Sequence, residues 1–247
     1  MVLVTRARLR RLLTRVTSRD RSELVLLVVG IAVLGLLFIV VALAGEVLEG
    51  DTQQFDERML AALRDPANPA NPIGPAWLRT AALDITALGS ATVLGLAVVA
   101  ICGFLALQGL YKNALFVFVA SCGGWLLNAV LKEAFGRPRP EVVPHLREVM
   151  TLSFPSGHAM TTAAIYLTLG ALLMRVSERR ITRFYCMGVA MLATFLVGAS
   201  RVYLGVHYPT DVLAGWLIGL SWALLCWIVE RALERRTGMK RERAEAA

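Results

Sequence analysis

Long uncharged stretches recur along the chain, separated by short polar segments. Residues 24–44 contain 21 residues without a charge, and a helix of that length crosses the roughly 30 Å hydrocarbon core of a bilayer. Arginines precede this stretch as in a secretory signal, but it exceeds a signal's apolar core of roughly 7 to 15 residues, which favours a retained anchor. Five further stretches follow, the shorter of which polar helix ends can extend: 85–111, 113–131, 159–174, 184–200 and 212–229. The pattern predicts an all-α polytopic membrane protein with six transmembrane helices.

Composition supports lipid as the surroundings of most of the chain. Of its 247 residues, 57% are hydrophobic and 18% are charged, and the mean hydropathy is +0.61. These values exclude a soluble globular domain, a disordered chain and a fibrous repeat. In a soluble protein the formal net charge of +8 would raise the question of nucleic acid. In a membrane protein the relevant question is which side of the membrane holds the basic residues, and no nucleic-acid partner is expected.

Lys and Arg are distributed unevenly between the two sides of the predicted bundle. Eighteen of the 26 fall before the first span, after the last span, between the fourth and fifth spans, or at Lys112, which is interpreted as a short turn. Because basic residues are retained on the cytoplasmic side, both termini are expected to be cytoplasmic. The chain then divides into a basic N-terminal segment, 1–23, a membrane domain, 24–230, with an extracytoplasmic loop, 45–84, and a basic tail, 231–247.

Small side chains inside the apolar stretches are interpreted as packing residues. The four cysteines are Cys102, Cys122, Cys186 and Cys226. They have no paired spacing, so neither a disulfide nor a zinc site is expected. Gly215 and Gly219 form a GxxxG pattern in the sixth span. This pattern is interpreted as close helix packing rather than as a dimer seam.

The extracytoplasmic loop contains an amphipathic segment between the first two spans. Apolar residues recur there at helical spacing among charged ones: Phe55, Met59, Leu60 and Leu63. Such a helix can lie on the bilayer surface or cover the end of the bundle, and the pattern favours neither. The tandem Ala-Asn-Pro sequences at 67–72 then break any helix, because proline lacks the backbone donor.

Three polar segments, 132–140, 153–158 and 200–211, stand at the extracytoplasmic ends of predicted spans. The first segment holds three cations: Lys132, Arg137 and Arg139. Two prolines prevent these cations from continuing a helix, so they are held at the membrane mouth. There they can bind an anion, or they can only extend to lipid headgroups.

The second segment is predicted to begin the fourth span with the sequence Pro155-Ser156-Gly157-His158. A helix N-terminus presents unpaired backbone N–H groups, Gly157 allows a close approach, and Ser156 adds a donor, so the segment can hold a phosphate. His158 would then stand beside the anion with a proton that titrates near neutral pH. An ordinary helix cap is the alternative interpretation.

The third segment contains Arg201, His207 and Asp211. If the sixth span begins near Pro209, a favoured residue of the first helical turn, His207 and Asp211 lie one turn apart on the same face. The carboxylate can then fix the imidazole tautomer and leave the far ring nitrogen free as a nucleophile. A His–Asp pair that only caps a helix is the alternative.

Two of the three histidines fall in these segments, which favours one shared site over three unrelated structural features. The segments resemble, without a departure, the three signature blocks of the type 2 phosphatidic acid phosphatase family. The matching sequences are Lys132-x6-Arg139-Pro140, Pro155-Ser156-Gly157-His158 and Ser200-Arg201-x5-His207-x3-Asp211. They span about a third of the chain, and three ordered motifs are a highly specific signal.

The resemblance implies a role for each matching residue. His207 attacks phosphorus, Asp211 orients His207, and His158 protonates the departing oxygen and then activates water. The phosphoryl oxygens are surrounded by Lys132, Arg139, Ser156, Arg201 and the Gly157 amide. The cations would supply the charge neutralisation that magnesium provides in other enzymes, so no metal or other cofactor is expected. Arg137 is expected behind the cations that contact phosphate, and His145 is interpreted as a structural loop residue.

The family resemblance further implies an integral-membrane lipid phosphate phosphatase at the outer surface of a bacterial cytoplasmic membrane. The candidate substrates are phosphatidic acid, phosphatidylglycerophosphate, diacylglycerol pyrophosphate and undecaprenyl pyrophosphate. The motifs recognise only the phosphate, so lipid specificity must come from the helices and the extracytoplasmic loop. A lipid phosphotransferase using the same histidine is the first alternative. A non-catalytic membrane binder or transporter, which an incomplete motif would favour, is the second.

Overall fold

The structure, a computed structural model, describes residues 21–147, 149 and 151–245. Within them the chain forms 8 α-helices and one short antiparallel hairpin, which confirms the all-α prediction. In chain order the elements are α1 (Arg21–Glu49), α2 (Gln53–Ala62), β1 (Arg64–Asp65), β2 (Asn68–Pro72), α3 (Ala76–Ala87), α4 (Ala91–Leu107), α5 (Tyr111–Phe135), α6 (Gly157–Val176), α7 (Arg180–Tyr203) and α8 (Pro209–Glu245). Residues 1–20 of the predicted basic segment and 246–247 of the predicted tail lie outside the described residues.

Five helices, α1, α5, α6, α7 and α8, are each long and apolar enough to cross a membrane. The pair α3 and α4 passes the same test together, bent by 47° at the break between them, and supplies the sixth predicted span. The predicted span over 85–111 is therefore formed by a bent pair of helices rather than by one continuous helix. The Ser90 side chain accepts a hydrogen bond from the Val93 N–H at 3.3 Å, so α4 begins as a new helix with its own cap.

The turn between α4 and α5 lies just before Lys112 rather than at it. Gly109 adopts a positive φ of 73° in this turn, a conformation that glycine adopts without strain. Lys112 already belongs to the first turn of α5. A glycine, and not the charged residue, therefore marks the reversal of the chain.

The central helix of the bundle, α6, packs against α5, α7 and α8. Small residues of α8 permit close contact with it: a Cβ on Gly219 would overlap Met160 O and lie 2.6 Å from Ala163 Cβ. A Cβ on Gly215 would lie 2.8 Å from Ser156 O. The GxxxG pair therefore serves close helix packing within the chain, as predicted, and it holds the first turns of α6 and α8 side by side.

The predicted amphipathic segment folds as α2 and covers one end of the bundle. Leu60 is fully buried and packs with Tyr208, and Asp56, one turn earlier, is fully buried as well. Phe55 and Met59 stay exposed on the outer side of the helix. Of the two placements that the sequence left open, α2 therefore has the one in which it covers the bundle.

Gly219→Ala is expected to lower the thermal stability of the purified protein, because a Cβ at this position has no room against α6. Overpacking of this kind costs about 1–3 kcal/mol. Gly188→Ala in α7 is the matched control, since a Cβ there has nothing within 4 Å. The control should keep or raise the Tm, because alanine favours the helix over glycine. Equal Tm changes for the two variants in detergent would contradict the packing assignment.

Candidate active site

The three polar segments meet at the end of the bundle where α6 and α8 begin. Gly136, with a positive φ of 60°, ends α5, and Gly205, with a positive φ of 74°, follows the end of α7. The short link after Gly205 leads to Pro209, the first residue of α8, where the sequence placed it. The Ser156 N–H donates to the backbone carbonyl of Asp211 at 2.9 Å, which joins the starts of the two helices.

A cavity of about 590 Å³ opens among these segments. It is lined by six of the predicted site residues: Lys132, Arg139, Gly157, His158, Arg201 and His207. The other two, Ser156 and Asp211, are fully buried and are not among its lining residues. The structure thus brings all three sequence blocks to one place, with Asp211 next to His207 rather than in the cavity.

The two ring nitrogens of His207 have different surroundings. Nδ1 lies 3.4 Å from Asp211 Oδ2, and Nε2 lies 3.2 Å from Arg139 Nη1. Because a guanidinium can only donate, Nε2 is the acceptor in its contact, and the proton of the neutral ring sits on Nδ1, facing the carboxylate. The unprotonated Nε2 is therefore the nitrogen available to a reacting group.

The side chain of His207 is almost completely buried, although it lies at the end of the helix bundle. Its exposed fraction is 1%, and burial lowers its pKa to about 3, although the neighbouring Asp211 opposes the shift. The ring is consequently neutral at physiological pH. Neutrality is the condition under which an imidazole nitrogen can act as a nucleophile.

Asp211 is held by donors from three parts of the chain. The Tyr208 N–H and the Ser153 hydroxyl donate to Oδ2 at 2.9 and 2.5 Å. Arg137 Nη1 donates to Oδ1 at 2.6 Å. A fully buried carboxylate without such partners would be strongly disfavoured. These bonds fix the carboxylate beside Nδ1 of His207.

Three cations line the cavity without a carboxylate partner among the described residues: Lys132, Arg139 and Arg201. Neutral oxygens hold them: Leu152 O for Lys132 Nζ at 2.5 Å, Thr151 O for Arg139 Nε at 2.5 Å, and Thr86 Oγ1 for Arg201 Nη1 at 3.0 Å. Burial lowers the pKa of Arg139 to about 10, which leaves the guanidinium protonated at neutral pH. Glu133 also lines the cavity, but it forms no ion pair with these three cations in the described structure. Three cations without an ion-paired carboxylate around one cavity indicate an anion-binding site.

Several buried polar atoms around the cavity have no hydrogen-bond partner in the described part of the chain: Asn128 Oδ1, Ser156 Oγ, His158 Nε2 and Arg201 Nε. Buried polar atoms without partners cost free energy, and such exceptions often serve a ligand. Gly157 begins α6, so its backbone N–H belongs to the first turn, whose amides have no partner within the helix. Most of these groups donate, and a phosphate offers acceptors.

Arg137 lies behind the cavity, as expected, but sequence reasoning missed its second partner. Its Nη2 donates to Asp56 Oδ2 of α2 at 2.9 Å, in addition to the contact with Asp211. The signal for Asp56 was its position one turn before the apolar Leu60, since residues four apart share a helix face. Ser153 lay inside a predicted segment without a predicted role.

Comparisons with known proteins agree with this geometry. The model of the PAP2 superfamily matches residues 113–235. Phosphatidylglycerophosphatase B of Bacillus subtilis (strain 168) is 37% identical over 149 residues, which cover 58% of this chain and 71% of the relative. The undecaprenyl-diphosphatase of Sulfolobus acidocaldarius is 40% identical over 70 residues, 28% of this chain and 29% of that protein. The crystal structure of the transmembrane PAP2 type phosphatidylglycerolphosphate phosphatase from Bacillus subtilis matches with a TM-score of 0.71 at 29% identity, covering 81% of this chain and 96% of that one.

The chain therefore belongs to the PAP2 superfamily and is a membrane-integral phosphatase. All three sequence blocks fall within the matched residues, 113–235. Helix α2, which carries Asp56, lies outside them. The family match thus covers most of the cavity lining but not the whole network behind it.

Acidification is expected to destabilise the wild-type protein more than His207→Asn. Below the ordinary histidine pKa of about 6.5, the unfolded chain binds a proton at position 207. The folded chain, with a pKa of about 3, does not bind it. Stability is therefore lost as the pH falls through this window, by up to about 1.4 kcal/mol per pH unit, and the variant lacks this loss. Thermal unfolding of both proteins between about pH 7 and about pH 5 measures the difference, and parallel curves would contradict a neutral, buried His207.

Proposed function

We propose that this phosphatase hydrolyses lipid phosphomonoesters and lipid pyrophosphates through a phosphohistidine formed on Nε2 of His207. The observation that carries the proposal is the orientation of the neutral ring. Its Nδ1 is next to Asp211, and its Nε2 is next to Arg139 in a cavity lined by cations. A bound phosphate in this cavity would meet a nucleophile and compensating positive charge at the same point.

In the first step, His207 Nε2 attacks phosphorus, the N–P bond forms, and the P–O bond to the lipid breaks. His158 gives its proton to the departing lipid oxygen. Asp211 stabilises the positive charge that the phosphorylated ring acquires while Nδ1 keeps its proton. Cationic side chains and donors stabilise the phosphoryl oxygens: Lys132, Arg139, Arg201, Ser156 and the Gly157 N–H.

In the second step, His158 takes a proton from water and the resulting hydroxide attacks phosphorus. The N–P bond breaks, inorganic phosphate leaves, and His207 returns to its neutral form. His158 regains the proton that it gave up, so the cycle closes without a further reactant. Because cationic side chains neutralise the phosphoryl oxygens, we expect turnover without a divalent metal.

The substrates we propose are phosphatidic acid, phosphatidylglycerophosphate, diacylglycerol pyrophosphate and undecaprenyl pyrophosphate. The names of two relatives support this range, since one is a phosphatidylglycerophosphatase and the other an undecaprenyl-diphosphatase. The polar groups of the cavity recognise the phosphate that these lipids share. The apolar helices around it can accommodate acyl or prenyl chains in the bilayer.

Phosphate release from phosphatidic acid and undecaprenyl pyrophosphate, measured in detergent with a chelator present, tests the proposal. The wild-type enzyme should release inorganic phosphate, and His207→Asn should lose at least about 1,000-fold in rate. His145→Asn is the matched control, because this exposed histidine bonds Pro140 O at 2.6 Å outside the cavity lining, and its rate should equal that of the wild type. Turnover retained in His207→Asn would exclude it as the nucleophile. Transfer of the phosphate to a lipid acceptor would show a phosphotransferase instead.

We further propose that both termini are cytoplasmic and that the site faces the extracytoplasmic side of a bacterial inner membrane. The distribution of Lys and Arg along the chain supports this orientation. The test uses single cysteines in a variant whose four native cysteines are replaced by serine. A membrane-impermeant thiol reagent added to intact cells should label Asp51→Cys, before α2, and should not label Glu178→Cys, in the turn between α6 and α7. The reverse labelling pattern would contradict the orientation.

A further inference from the structure

A second buried carboxylate, Asp56 of α2, stands behind the pair of His207 and Asp211. It is 0% exposed, and it accepts hydrogen bonds from Arg137 Nη2 at 2.9 Å, from Thr210 N at 3.1 Å and from Thr210 Oγ1 at 2.5 Å. Arg137 Nη1 in turn donates to Asp211 Oδ1 at 2.6 Å. One guanidinium therefore bridges two buried carboxylates at the start of α8.

The net charge of Asp56, Arg137 and Asp211 determines the electrostatic environment of His207. With both carboxylates ionised, Asp56, Arg137 and Asp211 carry one net negative charge. Burial lowers the pKa of Arg137, but Asp211 and Asp56 outweigh it and raise the pKa overall, so the guanidinium stays protonated. If Arg137 had Asp211 as its sole partner, the two charges would cancel, and His207 would face a neutral pair.

His207 needs a net negative neighbour because the charged side chains on its other sides are cations. Arg139 and Arg201 both disfavour positive charge on its ring, and His158 stands nearby on α6. Asp211 is the carboxylate that contacts the ring in the described structure. When Nε2 accepts a phosphoryl group while Nδ1 keeps its proton, the ring becomes positive, and its stabilisation depends on the charge behind Asp211.

We propose that Asp56 is a positioning residue that balances Arg137, so that Asp211 keeps its negative charge toward His207 during phosphoryl transfer. The proposal rests on the phosphohistidine function proposed above. The residue comes from α2, outside the three sequence blocks and outside the part of the chain that the family model matches. A role limited to docking α2 on the bundle would affect stability, whereas a charge-balancing role affects the chemical step.

Asp56→Asn is the first test, because it removes the charge and keeps the shape of the side chain. We expect kcat to fall by about 10- to 100-fold while KM changes by less than about twofold, since the phosphate-binding cations are untouched. Asp51→Asn is the matched control, because Asp51 is exposed just before α2, and its kcat should equal that of the wild type. A kcat of Asp56→Asn within about twofold of this control would overturn the proposal.

The double variant Asp56→Asn/Arg137→Gln separates charge from shape. Arg137→Gln alone leaves two neighbouring buried carboxylates without their cation, and their repulsion should displace Asp211 from Nδ1 of His207. Asp56→Asn alone leaves a neutral pair. The double variant restores one net negative charge, so its kcat should exceed that of either single variant, by about threefold or more. A kcat at or below that of the single variants would overturn the charge argument. If Asp56→Asn alone is not recovered as folded protein, the comparison of the double variant with Arg137→Gln decides the question.

The assay on His207→Asn separates a failure of this inference from a failure of the proposed function. Turnover retained in that variant would remove the phosphohistidine and, with it, the reason for a negative neighbour. Loss of turnover in His207→Asn, together with control-like kinetics of Asp56→Asn, would overturn the role of Asp56 alone.

Discussion

The buried charge of Asp211 is the constraint on which the catalytic end of this molecule depends. A carboxylate without water must find donors in the protein, because an unpaired ion at this depth costs several kcal/mol. Its donors come from Arg137, Ser153 and Tyr208, which belong to the segments after α5, before α6 and before α8. Satisfying this one charge therefore joins three segments that are distant in the chain and places them around a single cavity.

Helix packing supplies the second requirement, that two helix starts lie side by side. The small residues at 215 and 219 let α8 approach the first turns of α6 closely. Both helix starts attract negative charge through their unpaired amides. At α8 the amide of Thr210 is already taken by Asp56, whereas Ser156 makes no side-chain cap at the start of α6. The two similar helix starts thus differ: one holds an internal carboxylate, and the other has no side-chain cap.

The sequence was sufficient for those features that lipid or local spacing imposes. Uncharged stretches of 16 residues or more predicted the spans, because backbone groups in a bilayer must pair within a helix. The spacing from His207 to Asp211 predicted their proximity once Pro209 began a helix. The resemblance implied that the remaining cavity residues belong to the same site.

Features that depend on distant partners could not be predicted in this way. The break between α3 and α4 lies in an apolar stretch, where Ser90 is the local sign of a new helix. The Ala-Asn-Pro repeat was correctly interpreted as a helix breaker, but its pairing as β2 with β1 depends on contacts across a tight reversal. Asp56 looked like part of a polar helix face, because hydrophobic periodicity contains no information about the arginine that pairs with it.

The ion pair of Asp56 and Arg137 joins positions that are 81 residues apart in the chain. Loss of Arg137 leaves two buried carboxylates without their cation, and loss of Asp56 leaves Arg137 and Asp211 as a neutral pair. The two positions are therefore expected to change together in evolution. Lineages of this family should keep both or lose both, and an intermediate with one of them would carry a fitness cost. Grafting the three sequence blocks into another membrane scaffold would likewise transfer Arg137 and Asp211 without the second carboxylate, Asp56. The set of residues that the site requires is therefore larger than its three sequence motifs. It includes Asp56 of α2, a helix whose sequence contains no recognisable catalytic motif.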